Sequence, residues 1–225
     1  MGPIHRVGVG DAAWGIGYQI GVYYESPDSG WNFGASYKSP QWFEDFEINS
    51  TDHLGGYRRL KMDLDYPAII SMGVGYTGFE RVKLACDVRY IDYENTSGFQ
   101  EAGFTPTGAV TGFGWSSIWA VSTGVEYKIH DGFFWRWGYT YNQSPIDETN
   151  MFYNSPAPAL IQHHLSTGFS VDCGGGWMTS MAFHYGFRNS VSGNWVHPAL
   201  GSVPGTDITA SLATYGLACG ISKKF

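Results

Sequence analysis

The sequence predicts an all-β chain, an antiparallel up-and-down transmembrane β-barrel to which these 225 residues contribute about nine strands. Three observations predict it. Apolar residues alternate with small or polar ones at a period of two through most of the chain, which is the pattern of strands with one oily face. Short turns and long insertions alternate along the chain, as the two rims of an outer-membrane barrel require. Composition turns the oily face outward: charged residues make up 15%, against roughly 25% in a soluble domain, while aromatics reach 17%.

Each strand follows from the same alternation. "AWGIGYQIGVYY" sets Trp14, Ile16, Tyr18, Ile20, Val22 and Tyr24 against glycines and Gln19, predicting one strand over 13–24. After "ESPDSG", "WNFGASYK" repeats the pattern. From Leu60 to Tyr76 one parity holds, with only Ile69 out of place, predicting a single long strand. "RVKLACDVRY" opposes Val82, Leu84, Cys86, Val88 and Tyr90 to Arg81, Lys83, Asp87 and Arg89. "IWAVSTGVEYK", "FFWRWGYTYN", "HLSTGFSVD", "MTSMAFHYGFR" and the closing "ASLATYGLACGISKKF" complete the series.

Between them, the turns "ESPDSG", "TGFE", "KIHDG" and "GGG" fall on one rim. Insertions near residues 40–56, 94–116, 143–161 and 189–209 fall on the other. Aromatics flank strand ends, as Trp14 with Tyr24 and Trp119 with Tyr127, where interfacial girdles sit. A soluble β-sandwich or lipocalin-like barrel would also alternate, but it gives no reason for sorted loops or terminal aromatics.

A mean hydropathy of −0.19 is compatible with this fold, because alternating strands average to near neutral. The charge-free run "AGFTPTGAVTGFGWSSIWAVSTGV" is long enough for a membrane helix, yet glycine, proline and hydroxyl residues interrupt it. A net charge of −7 without a basic cluster excludes nucleic acid as a partner.

Cys86, Cys173 and Cys219 lie at outward parity without CxxC spacing and read as small apolar residues. His163 and His164 are adjacent in a strand and point to opposite faces, so they do not share a metal. No catalytic residues, metal or cofactor are expected.

The inward cations Lys61, Arg81, Lys83, Arg89 and Arg136 are candidates for holding a ligand carboxylate. Pairing with Asp63, Asp87, Glu126 and Asp172 across the barrel interior is the alternative role. Phe99, Phe104, Phe113 and Trp115 in one insertion, with Met151, Phe152, Tyr153, Ala157 and Leu160 in another, are candidates for an exposed surface that captures hydrophobic small molecules. Packing on the barrel mouth is the alternative role.

The succession "WNFGASYKSP", "LKMDLDYPAIISMGVGYTG", "STGVEYK", "WRWGYTYNQSPI" and "ISKKF" resembles the carboxy-terminal part of the FadL/TodX family of outer-membrane long-chain fatty acid and hydrocarbon transporters. The order of the blocks carries the resemblance, from about Ala13 to Phe225.

It implies a fourteen-stranded barrel with an amino-terminal hatch, embedded in outer-membrane lipid of a Gram-negative bacterium and passing hydrophobic compounds passively. It also implies that Phe225 is the signal read by the barrel-assembly machinery. Since "MGPIHRVGVGDAAWG" lacks a secretory-signal pattern, the chain is expected to be the carboxy-terminal portion of a larger protein, with hatch and first strands absent. A different outer-membrane barrel, an enzyme or adhesin, and a soluble β-domain for an apolar ligand are the alternative functions.

Overall fold

The structure, a computed structural model, describes residues 12–51, 56–100, 102–104, 110–156 and 158–224. In chain order the elements are β1 (Gly15–Ile16), β2 (Gln19–Glu25), β3 (Trp31–Lys38), β4 (Trp42–Phe43), β5 (Phe46–Thr51), β6 (Tyr57–Met62), β7 (Ala68–Tyr76), β8 (Val82–Asp92), β9 (Gly103–Phe104), β10 (Val110–Gly112), β11 (Ile118–His130), β12 (Phe133–Asn142), α1 (Met151–Asn154), β13 (His163–Gly174), β14 (Trp177–His197) and β15 (Gly201–Lys223).

Nine strands form one antiparallel meander in the order β2-β3-β7-β8-β11-β12-β13-β14-β15, and β1–β4, β5–β6 and β9–β10 form separate two-stranded ladders. Among the described residues, β2 and β15 are the two edges of the large sheet.

The register lines up like with like. Val125 stands between Leu84 and Trp137 on the outward face, and one position on, Glu126 stands between Lys83 and Arg136 on the inward face. Outward residues remain open, Ile20 at 67%, Met72 at 62% and Leu217 at 65% exposed. A large apolar side chain left in water forgoes about 1.5–3 kcal/mol of burial, so this face is poorly suited to bulk water. The described buried apolar residues, Ile118, Ile146, Met151, Leu160 and Ile161, all lie at the end where the long connections are. The three cysteines are free, and Cys173 and Cys219 are exposed on the outward face.

The expected strand over Leu60–Tyr76 is in fact two, β6 and β7. The reason is nonlocal: in the β3–β7 register Pro40 comes opposite Pro67, and neither has an N–H to give. The ladder resumes at Gln41 and Tyr66, whose amides and carbonyls exchange bonds of 3.0 Å.

The same interruption divides the first strand. Between β1 and β2, Tyr18 N donates to Ser39 Oγ at 2.8 Å while Ser39 N donates to Tyr18 O at 2.9 Å. The described residues of the insertion expected at 40–56 are largely strand, with β5 and β6 paired as an antiparallel ladder outside the meander.

The insertion expected at 189–209 is also strand. β14 and β15 run 21 and 23 residues and continue far above their neighbours as one hairpin. Gly186 pairs with Thr214 but Asn189 pairs with Leu212, so two residues, Phe187 and Arg188, oppose the single Ala213 in a β-bulge.

Candidate functional site

The inward face of the sheet is built almost entirely from small and polar residues. Between β2 and β8 it encloses a concavity of about 970 Å³, lined by Gly34, Ser36, Ser71, Gly73, Asp87 and Arg89 among others. Glycine there leaves room: an added Cβ at Gly73 would fall against the Asp87 carboxylate. A second concavity of about 450 Å³ lies beside Arg136 against Gly138, Ser166, Gly168, Ala182 and Ala218.

One polar belt crosses five strands near the short-turn rim. Lys83 Nζ lies 3.0 Å from Glu126 Oε1, and Arg136 Nε donates to Glu126 Oε2 at 2.6 Å. Arg136 Nη1 donates to Ser170 Oγ at 2.6 Å, and Ser170 and Ser180 share a hydroxyl bond of 2.7 Å.

The candidate cations therefore occupy different situations. Lys83 and Arg136 are engaged by Glu126. Lys61 lies on β6 outside the meander, 3.6 Å from Asp45 and 3.7 Å from Glu47. Arg81 is exposed at the short-turn rim, where its carbonyl accepts Lys128 N at 2.8 Å. Arg89 faces the larger concavity and makes no ion pair among the described residues.

Of the four carboxylates expected as partners, only Glu126 pairs with a cation among the described residues. Asp172 instead accepts Gly174 N at 2.8 Å in the turn. Lys38, which sequence reasoning passed over, faces the same concavity as Arg89, with Nζ 4.4 Å from the centre of the Tyr66 ring.

The aromatic loop candidates are brought together. The Phe99 ring lies tilted against Trp115 at 4.8 Å and against Phe113 at 5.7 Å, and Tyr93 lies 4.8 Å from Trp115. Phe104 meets Phe152 at 6.1 Å and Tyr153 at 5.4 Å. Burial pushes the Tyr93 phenol up, with Tyr66 adding to the shift.

Met151 and Leu160, expected as exposed capture residues, are fully buried with Ile146 against Val191, Ala210 and Leu212 of the tall hairpin. The cause is the hairpin itself, whose inner face supplies a floor that no local pattern reveals. Ala157 and Phe225 lie outside the described residues.

Two asparagines lock the loops. Asn154 Oδ1 accepts Trp115 Nε1 at 2.5 Å, and Asn154 Nδ2 donates to Phe113 O and Asn150 O, each at 2.8 Å. Asn150 Nδ2 reaches Gly114 O and Pro145 O. Asp147 closes the turn before α1 by accepting Thr149 N at 2.7 Å and Thr149 Oγ1 at 2.6 Å. The Thr149 hydroxyl, joined by the Thr149 and Asn150 amides and opposed by partial burial, holds the Asp147 carboxyl below the usual aspartate range.

Comparison with known proteins agrees with this geometry. The Pseudomonas putida toluene transporter TodX superposes with a TM-score of 0.63 at 20% identity, covering 95% of this chain and 50% of TodX. A Pseudomonas aeruginosa FadL homologue gives 0.66 at 15% identity, covering 91% of this chain and 50% of its own. The Ralstonia pickettii toluene transporter TbuX gives 0.58 at 15%, covering 94% and 48%.

This chain thus spans about half the length of these structures, and the likeness establishes a barrel-type fold. No curated protein sequence matches it. The family described as outer membrane protein transport protein (OMPP1/FadL/TodX) matches residues 8–158, two-thirds of the sequence, and the chain belongs to that family.

Proposed function

We propose that this chain forms part of the wall of an outer-membrane channel through which hydrophobic small molecules pass passively, without cofactor or catalysis. The observation that carries the reading is the contrast between the two faces of one sheet. Its outward face is apolar and exposed, and its inward face is a trough of glycine, serine and alanine in which Arg89 makes no ion pair among the described residues. A passing oily molecule needs a smooth wall, and a carboxylate on it needs one available cation. Arg89, with Lys38 two strands away, meets that need better than Lys83 or Arg136, whose charges Glu126 offsets.

On this reading the short-turn rim is periplasmic and the long-loop rim extracellular. Phe113, Trp115, Phe152 and Tyr153 then form the first apolar surface a ligand meets.

The test is uptake of oleate and of toluene by outer membranes containing the natural gene product, as wild type and as Arg89→Gln. The expected result is oleate uptake reduced about tenfold, as loss of a charge-assisted contact implies, with toluene uptake unchanged. Equal oleate uptake by both forms refutes the role of Arg89. Uptake of both compounds at the level of membranes lacking the protein refutes transport.

A further inference from the structure

The outward face changes chemistry abruptly along the tall hairpin. Below the bulge at Phe187–Arg188 it is Phe183, Tyr185, Tyr215 and Leu217, all exposed. Above the bulge the outward positions are Ser190 and Ser192 on β14 and Thr209 and Ser211 on β15, also exposed, and Ser192 and Thr209 share a hydroxyl bond of 2.7 Å. The inner face of this part is accounted for, since Asn189 Nδ2 donates to Leu160 O at 2.8 Å and an added Cβ at Gly193 would strike Met151. The hydroxyl ladder faces away from every other described element.

The bulge sets a cation at this boundary. Gly186 faces inward, against Ile161, and so does Asn189, so Phe187 and Arg188 together fill one outward step. Arg188 is exposed, and its side chain makes no hydrogen bond or ion pair among the described residues.

His163 of β13 stands at the same level, one register step above the His164–Gly186 pair. Its Nδ1 is engaged by the Tyr139 hydroxyl at 2.7 Å, which leaves Nε2 for another partner. The acidic residue of the ladder, Asp207, pairs opposite Asn194, about 20 Å farther along β15. An unpaired guanidinium and an imidazole thus mark the level where lipid-facing apolar residues give way to hydroxyls.

We propose that this band is a docking site for a phosphorylated glycolipid of the outer leaflet, with its phosphate on Arg188 and His163 and its sugar hydroxyls on the Ser/Thr ladder. The inference rests on the outer-membrane reading above. A guanidinium binds phosphate through paired, charge-assisted bonds, and a ladder of small hydroxyls both gives and accepts bonds to sugars. A phospholipid offers the phosphate without the sugars, so the ladder selects between them.

The experiment uses the natural gene product in detergent, with three probes read by native mass spectrometry: bisphosphorylated lipid A, lipid A stripped of its phosphates, and phosphatidylglycerol. Wild type is expected to retain bisphosphorylated lipid A about tenfold or more over either other lipid. Arg188→Gln is expected to reduce that retention to the level of the stripped lipid, while Arg188→Lys keeps part of it.

Equal retention of the three lipids by wild type, or unchanged retention by Arg188→Gln, overturns the inference. The wild-type comparison of intact and stripped lipid A decides the matter even if the variant does not fold. Flotation with phosphatidylethanolamine vesicles separates the two readings. Failure to float overturns the membrane reading itself, whereas flotation without lipid A preference overturns only the glycolipid site.

Discussion

Replacing Asn154 with alanine should release the long-loop rim while sparing the barrel wall. Asn154 is 2% exposed, and its carboxamide makes bonds to Trp115 Nε1, Phe113 O and Asn150 O. Alanine removes all of them, at about 1 kcal/mol net for each buried bond. The sum of about 3 kcal/mol corresponds to roughly a hundredfold rise in the population of the open loop. Because α1 and the Phe113–Trp115 segment lie outside the nine-stranded sheet, the loss stays local. Backbone hydrogen exchange read by mass spectrometry should show residues 113–117 and 146–156 exchanging about two orders of magnitude faster, with β11 to β13 unchanged. Unchanged exchange in both loops would refute the locking role of Asn154, and faster exchange throughout the sheet would refute the independence of loop and wall.

Other consequences are equally accessible. Glu126→Gln takes the shared partner from Lys83 and Arg136; allowing for the solvent screening of these half-exposed cations, the loss should be about 1–2 kcal/mol by denaturant titration in detergent. Gly168→Ala places a methyl 2.8 Å from Met181 O and 3.2 Å from the Ala182 Cα, backbone that cannot swing aside, and should destabilise by about 1–3 kcal/mol. Gly124→Ala, whose nearest contact would be Trp137 O at 3.6 Å, should be tolerated in the same titration.

The Asp147 carboxyl is held below the ordinary aspartate value of 3.8 in the folded loop. Its contribution is therefore fully present above that value and lost as pH falls through the lowered one. Exchange protection of the amides of 147–150 should hold at neutral pH and fall only in that acid window, and Asp147→Asn should abolish the pH dependence.

The sheet was readable in the sequence because its determinant is local. Side chains alternate faces at a period of two, so parity alone separates Leu84, Cys86 and Val88 from Lys83, Asp87 and Arg89. Parity also placed Glu126 on the same face as Lys83 and Arg136, although their contact depends on a register that the sequence does not display.

What escaped were features made by partners distant in the chain. Pro67 ends a ladder only because Pro40 comes opposite it. The stretch 189–209 resembles a loop because serine, glycine and threonine dilute its apolar residues. It is strand because Val191, Ala210 and Leu212 find Met151 and Leu160 to cover them. Asn150 and Asn154 carry no signature beyond a common loop residue, and their importance appears only when Phe113, Gly114 and Trp115 arrive from the other loop.

On the proposed reading, one face of this sheet meets lipid and the other lines an aqueous interior. Single cysteines placed in turn along β12, from Phe133 to Asn142, in a background lacking Cys86, Cys173 and Cys219, and challenged with a membrane-impermeant maleimide in bilayers, test it most directly. Labelling is expected at Phe134, Arg136, Gly138, Thr140 and Asn142, and protection at Trp135, Trp137, Tyr139 and the other positions of the opposite parity that lie within the bilayer. Reactivity without a period of two, or protection of the even-numbered positions instead, would contradict it.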